Sequence, residues 1–281
     1  MELQRFFKLY YRKIERKLKS FPFMPYFTRT KNGQKIDPGN AIFPIIKHDE
    51  SHKLIGTAFF ISREGLFVTA KHVLHDVLDK NGNQKFPIAA MQFFGENKYI
   101  IRPVIRCCSN TLSDICVGVL APTTHNITKE PLLNKMAILT LDIPPINSRI
   151  VTYAYPEHES EIKGTIQKLA FNPKFYEGIL EENLPNGRDA MIPFPCYRGS
   201  IKVLSGASGG PVFDQNGRVF GINCTGYDGT DISYFVRINE ILPLWVYDVN
   251  LPDGSHKDRI SVLELVRRGH IVFEPPLKSF E

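Results

Sequence analysis

Leu54-Ile55-Gly56-Thr57-Ala58-Phe59-Phe60-Ile61-Ser62, then Arg63-Glu64-Gly65, then Leu66-Phe67-Val68-Thr69-Ala70 is the stretch on which the fold turns. Two apolar runs of strand length, joined by a short polar turn that ends in glycine, read as a β-hairpin. Lys71 to Leu78 follows as a helical turn, and Asn81-Gly82 breaks the chain. Working outward, short β segments are expected at 41–46, 88–94, 98–106 and 114–120. A Pro/Thr/Asn-rich connection then runs from Ala121 to about Asn134. A second β-rich group is expected at 138–141, 149–156, 165–171, 176–181, 200–204, 211–214, 218–224 and 233–238. Asn216-Gly217 is a hairpin turn within it. A short helix is expected near 239–245, and 257–267 forms an amphipathic helix ahead of Pro275-Pro276. No repeat of solenoid period is present. Many short strands in two groups, with few helices, predict an all-β chain of two small antiparallel barrels rather than a βαβ fold.

Phe6, Leu9/Tyr10, Ile14 and Leu18 recur at helical spacing among basic residues, so 2–20 reads as an amphipathic helix stopped by Pro22 and Pro25. Three uses stay open for it: docking on the body, binding a regulatory protein partner, or contact with an anionic membrane surface. Residues 28–39 are polar and read as a linker.

Composition narrows the class. The chain has 281 residues, 43% hydrophobic and 23% charged, which suits a globular protein with a sizeable core. The net charge of +6 is concentrated at the start. Residues 1–40 hold ten basic and three acidic residues, and the remaining 241 hold 25 and 26. The body is near neutral, so nucleic acid is not an expected partner. Cys107, Cys108, Cys116, Cys196 and Cys224 are odd in number and lack metal-ligand spacing. Cys116 and Cys224 fall on apolar strands as small core residues, and the neighbours Cys107 and Cys108 are not readily a disulfide. No cleavable signal and no spanning run of ~20 apolar residues is seen. A reduced, cytoplasmic protein with free thiols is expected.

The residues that suggest chemistry begin with Leu204-Ser205-Gly206-Ala207-Ser208-Gly209-Gly210-Pro211. Taken alone, this is either a Gly-rich surface turn or a tight turn presenting a nucleophilic serine beside free main-chain N–H groups. Upstream, the opening hairpin ends in Thr69-Ala70-Lys71-His72, and an alternating segment reads Ser113-Asp114-Ile115-Cys116-Val117-Gly118-Val119. The order His, Asp, Ser is one of those found for the acyl-transfer triad. Each member has a plainer reading. His72 could be a structural histidine and Asp114 a turn or edge-strand aspartate. Asp76 is the rival acid, only four residues after His72. His72 and His75 lack a third metal ligand, so no metal is expected.

At these residues the chain resembles the trypsin-like (chymotrypsin-fold) serine proteases. Gly56–Ile61 and Leu66–Val73 are similar to the paired strands before the family's histidine, and Ser113-Asp114-Ile115 to its aspartate strand. Gly206-Ala207-Ser208-Gly209-Gly210-Pro211 fits G-x-S-G-G-P, and Gly221-Ile222-Asn223 resembles the strand after it. Val151 to Pro156 resembles the opening of the second barrel in Deg-type bacterial proteases. The matches span roughly 41–240.

The resemblance implies a chymotrypsin-like fold of two antiparallel six-stranded β-barrels. The residue pattern adds an N-terminal amphipathic helix and a short C-terminal helical tail. The expected organisation is 1–39 as helix and linker, 40–135 as the first barrel with His72 and Asp114, 136–250 as the second barrel with Ser208, and 251–281 as the tail. It further implies a bacterial serine endopeptidase acting on protein or peptide substrates without a cofactor. Ser208 would be the nucleophile, His72 the general base and then acid, and Asp114 the orienting acid, with Gly206 and Ser208 N–H as oxyanion donors.

By the same resemblance the primary pocket is lined around Lys202, Asn223, Cys224, Thr225, Gly226, Ser233 and Phe235. Lys202 stands where an acid would confer Lys/Arg preference, so that preference is not expected. Digestive members carry aspartate before the serine, to pair with the amine freed by activation cleavage. Here that residue is Ala207, so activation by that route is not expected. The tail is also too short for a PDZ domain. Two other classes remain: a silent protease-fold interaction module, and a membrane-surface scaffold acting through residues 2–20.

Overall fold

The computed structural model describes residues 14–16, 28–29, 35–78, 84–94, 98–124, 128–156, 158–163, 166–227, 229–251 and 253–277. Three short strands come first: β1 (Ile14–Arg16), β2 (Thr28–Arg29) and β3 (Lys35–Ile36). The expected helix over 2–20 lies outside the described residues except at β1. There the backbone is extended and pairs in parallel with a later strand, Ile14 opposite Leu169. An open strand edge supplies the backbone partners that helical periodicity alone does not reveal.

The opening hairpin is the seam of the first barrel. β4 (Ile42–His48), β5 (His52–Phe60), β6 (Leu66–Thr69), β7 (Ile88–Phe93), β8 (Tyr99–Ser109) and β9 (Cys116–Leu120) close in the order β4-β5-β6-β9-β8-β7. A short helix, α1 (Lys71–His75), follows β6 and is anchored by buried Val73 and Leu74. Inside the barrel the rings of Phe43 and Phe60 lie 4.5 Å apart, with Phe67 at 5.7 Å from Phe43.

The second barrel is built from β10 (Arg149–Ala154), β13 (Lys174–Leu184), β14 (Cys196–Gly199), β15 (Pro211–Phe213), β16 (Val219–Gly226) and β17 (Ser233–Arg237). They close in the order β10-β13-β14-β17-β16-β15. Between β10 and β13, β11 (His158–Lys163) and β12 (Ile166–Phe171) form a hairpin completed by β1. Its Gln167 clamps the first barrel: His52 N–H donates to Gln167 Oε1 at 2.9 Å, and Gln167 Nε2 donates to His52 O at 2.9 Å.

The chain continues through β18 (Trp245–Asn250) and β19 (His256–Ser261) into α2 (Val262–Arg267). Four expectations are corrected. The expected strand at 138–141 is only an isolated bridge at Leu139. Residues 200–204 are not a strand, and the barrel strand there is β14 at 196–199. The amphipathic stretch 257–267 is a helix only in its second half, because its first half pairs with β18 as β19. The stretch 239–245 holds only a 3-10 turn, at Ile238–Ile241. Among the described residues, no helix is long and apolar enough to cross a membrane.

One apolar core runs through both barrels. It joins Phe43, Phe60 and Phe93 of the first to Tyr153, Tyr155, Phe213 and Val219 of the second. A smaller cluster of Ile150, Leu180, Tyr197, Ile201, Val212, Phe220 and Phe235 fills the remainder of the second barrel.

Candidate active site

Asp114 and His72 are locked together at the rim of the first barrel. Asp114 Oδ2 meets His72 Nδ1 at 2.7 Å, and Asp114 Oδ1 accepts from the His72 backbone N–H at 2.9 Å. The Lys71 N–H donates to Asp114 O at 3.3 Å, so the start of α1 is tied to Asp114 three times. Cys224 Sγ, from the second barrel, donates to Asp114 Oδ2 at 3.0 Å. Burial disfavours the His72 imidazolium, but the Asp114 carboxylate outweighs it and holds His72 above the ordinary imidazole range. Burial likewise opposes the Asp114 charge. The hydrogen bonds from His72 and Cys224 reverse that and keep Asp114 below the usual carboxylate range. Burial and the nearby Asp114 charge push the Cys224 thiol far up, which keeps it an S–H donor. The rival Asp76 makes no carboxylate hydrogen bond to His72 among the described residues. His75 Nε2 turns instead to Ser109 Oγ at 2.8 Å.

The serine turn is pressed against this rim. A side chain on Gly209, which has φ +83°, would lie 2.1 Å from Thr69 Oγ1 and 2.7 Å from Ala70 N, just ahead of His72. A side chain on Gly56 would meet both Val73 of α1 and Ser208 O. The Thr57 N–H donates to Ser208 O at 2.9 Å, binding the turn to β5. Ser208 Oγ donates to Cys224 O at 3.4 Å. No hydrogen bond joins it to His72 among the described residues.

The peptide groups around Ser208 are fixed in direction. Ala207 O accepts from Gly210 N–H at 3.0 Å and from Asn223 Nδ2 at 3.2 Å. A carbonyl pinned inward turns the N–H of the same peptide, that of Ser208, outward. Gly206 has φ +88° and its carbonyl accepts from Thr57 Oγ1 at 2.8 Å. Neither the Gly206 nor the Ser208 N–H has an acceptor among the described residues, whereas those of Ala207 and Gly209 are both used.

The residues expected around the primary pocket divide into two sets. Lys202 and Thr225 are exposed, and Gly226 is half-buried against Val203 and Ile232. Asn223, Cys224, Ser233 and Phe235 are buried and serve the interior. Asn223 Nδ2 also donates to Thr152 Oγ1 at 2.8 Å, and Ser233 Oγ donates to Gly199 O at 3.2 Å. Phe235 packs in the second barrel's core. Asn223, Ser233 and Phe235 turn into the second barrel, whereas Cys224, the next residue along β16, turns to Asp114.

Thr57 was missed by sequence reasoning. Its Oγ1 donates to Gly206 O and accepts from the Tyr155 N–H at 3.0 Å, so one buried hydroxyl joins β5, the serine turn and the end of β10.

A family profile described as a trypsin-like peptidase domain matches residues 56–222, more than half of the chain. The chain belongs to the trypsin-like peptidase family. This trypsin-like serine protease is also similar to solved structures. Deg5 superimposes with a TM-score of 0.52 at 14% identity, covering 72% of this chain and 85% of that one. The MamO protease domain from Magnetospirillum magneticum gives 0.49 at 14% identity, covering 71% and 93%. The protease Rv3671c from M. tuberculosis H37Rv, in an inactive form, gives 0.46 at 17% identity, covering 73% and 84%. At 14% identity the likeness to Deg5 is one of fold. No curated protein matches the chain.

Proposed function

We propose that this peptidase is a serine endopeptidase that cleaves peptide bonds through a His72-Asp114-Ser208 triad and an acyl-enzyme intermediate. The observation that carries the reading is the paired engagement of Asp114, one oxygen on the His72 ring and one on its backbone, beside the Ser208 turn. Asp114 fixes the His72 tautomer with Nδ1 protonated, leaving Nε2 free to accept. Ser208 Oγ must leave Cys224 O for His72 Nε2, and such catalytic hydrogen bonds often form only in the substrate complex. As Oγ attacks the acyl carbon, His72 takes its proton, and the outward Ser208 N–H and the unpaired Gly206 N–H receive the oxyanion. His72 then returns the proton to the leaving amine.

Ala207 supports a start-up that does not depend on a newly cut amine. It is fully buried and has no side chain able to pair with one. Exposed Lys202 and Ile232 and the half-buried Val203 support substrates other than those with Lys or Arg at the cleaved bond.

The test is reaction with a fluorophosphonate, read by intact mass. Wild type gains one adduct, and Ser208→Ala and His72→Ala gain none. Absence of an adduct on wild type, with peptide substrates also left uncut, sinks the reading.

A further inference from the structure

Away from Ser208, the rim of the first barrel carries a second reactive cluster. In the β8–β9 ladder Cys107 stands opposite Gly118 and Ser109 opposite Cys116. Residues at 107, 109, 116 and 118 therefore share one face of the sheet. Gly118 identifies it as the barrel interior, because a side chain there would lie 2.1 Å from the Phe67 ring. Cys107 and Cys116 thus point into the same end of the barrel across the diagonal of the ladder, close enough for each thiol to shift the titration of the other. Ser109 also shifts the Cys116 thiol and meets His75 Nε2 at 2.8 Å. Cys116 is wholly buried, whereas Cys107 is half-buried.

We propose that Cys107 and Cys116 are a peroxide-responsive thiol pair, with Cys107 the site of oxidation and Cys116 the resolving thiol. The Cys107 thiolate attacks one peroxide oxygen. The O–O bond breaks, the sulfur becomes a sulfenic acid, and the other oxygen leaves as hydroxide or alkoxide and takes up a proton. Cys116 then gives up its proton and attacks the Cys107 sulfur. The S–S bond forms, the S–O bond breaks, and water leaves. The two thiols lose two electrons in all and one peroxide gains them.

Selection among the five cysteines follows from their surroundings. The neighbouring Cys116 thiol favours the Cys107 thiolate. Cys107 and burial hold Cys116 protonated. Burial pushes Cys108, Cys196 and Cys224 up as well. Diagonal Cα atoms in a ladder lie ~7–8 Å apart, beyond the ~7 Å reach of a disulfide. Closure therefore needs a small shift of β8 against β9. The β8 irregularity between Val104 and Arg106, and the position of both cysteines near strand ends, allow it. The bond would draw Cys116 off Ser109, whose other partner is His75 on α1.

The test treats the reduced full chain with hydrogen peroxide, alkylates the remaining thiols, and reads intact mass and a peptide map. Wild type should become about 2 Da lighter before alkylation, with a Cys107–Cys116 link reversed by dithiothreitol. Cys116→Ala should instead gain about 16 Da on Cys107, captured by dimedone. Cys108→Ser should behave as wild type. Cys107→Ser, at a half-buried position that tolerates serine, should lose the link and leave Cys116 unmodified. A link through any other cysteine, a wild-type mass unchanged by peroxide, or a link surviving in Cys107→Ser overturns the proposal. These readouts do not depend on peptide hydrolysis, so they stand or fall apart from the assignment of the triad.

Discussion

Asp114 holds the His72 ring with one oxygen and the His72 backbone with the other, and takes the Cys224 thiol as well. Replacing it with asparagine keeps the shape but removes the charge and permits the wrong ring tautomer. Asp114→Asn should cost about 10⁴-fold in turnover; a loss within tenfold would mean that another group orients His72. The pH dependence carries a sign. His72 accepts a proton only when neutral, and its pKa is raised. Activity should therefore climb with pH through a value above the ordinary ~6.5 of imidazole. In Asp114→Asn that limb should move down, and NMR titration of the His72 ring should follow it. The fold responds in the opposite sense. Protonated His72 stabilises it fully below the unfolded pKa, and this is lost as pH rises through the folded value. Asp114 contributes above its unfolded pKa and loses that contribution as pH falls through its lowered one. The pairing of His72 with Asp114 beside the Ser208 turn was legible in sequence because the glycines, the order and the flanking strands constrain one another. Thr57 was not: a threonine in a strand reads as a β-former, and its partner Gly206 lies 149 residues on.

At the scale of elements, legibility follows burial. The strands of the opening hairpin were placed to within two residues, since both are almost continuously apolar. β11 was missed because His-Glu-Ser-Glu-Ile-Lys has no buried face to imprint a period. β19 was read as helix because its charged residues also satisfy a helical spacing. What extends it is the pairing with β18, where Arg259 stands opposite Tyr247 and its guanidinium lies 4.0 Å from the Trp245 ring centre. A tight fit inside the first barrel joins two elements, Gly118 of β9 and the Phe67 ring of β6. Gly118→Ala should cost about 1–3 kcal/mol by overpacking. Adding Phe67→Leu should recover part of that loss, because the clash is with the ring and not with the backbone. Urea midpoints of the two single variants and the double variant check it. Equal losses that simply add would show that the two positions do not share one space.

Across the whole molecule, the segment after the first barrel and the segment after α2 act as a common brace. Ala137 N–H donates to Phe60 O at 2.9 Å in the first barrel, while Thr140 N–H donates to Val219 O at 2.9 Å in the second. Leu139 bridges both Val219 and Phe273. Ile271 and Phe273 are buried in the core that the barrels share, so the residues expected to form a tail close the fold instead. Phe273→Ala should therefore destabilise both barrels together, by about 3–5 kcal/mol. Trp245, the single tryptophan, reports by fluorescence from β18, and far-UV circular dichroism reports on the strands of both barrels. In urea the two signals should move to lower denaturant in Phe273→Ala and remain coincident with each other. A variant that shifts only one signal, or neither, would mean that each barrel stands without the brace. Dithiothreitol should leave the wild-type midpoint unchanged, since all five cysteines are free in the folded chain and none cross-links the segments that the brace joins.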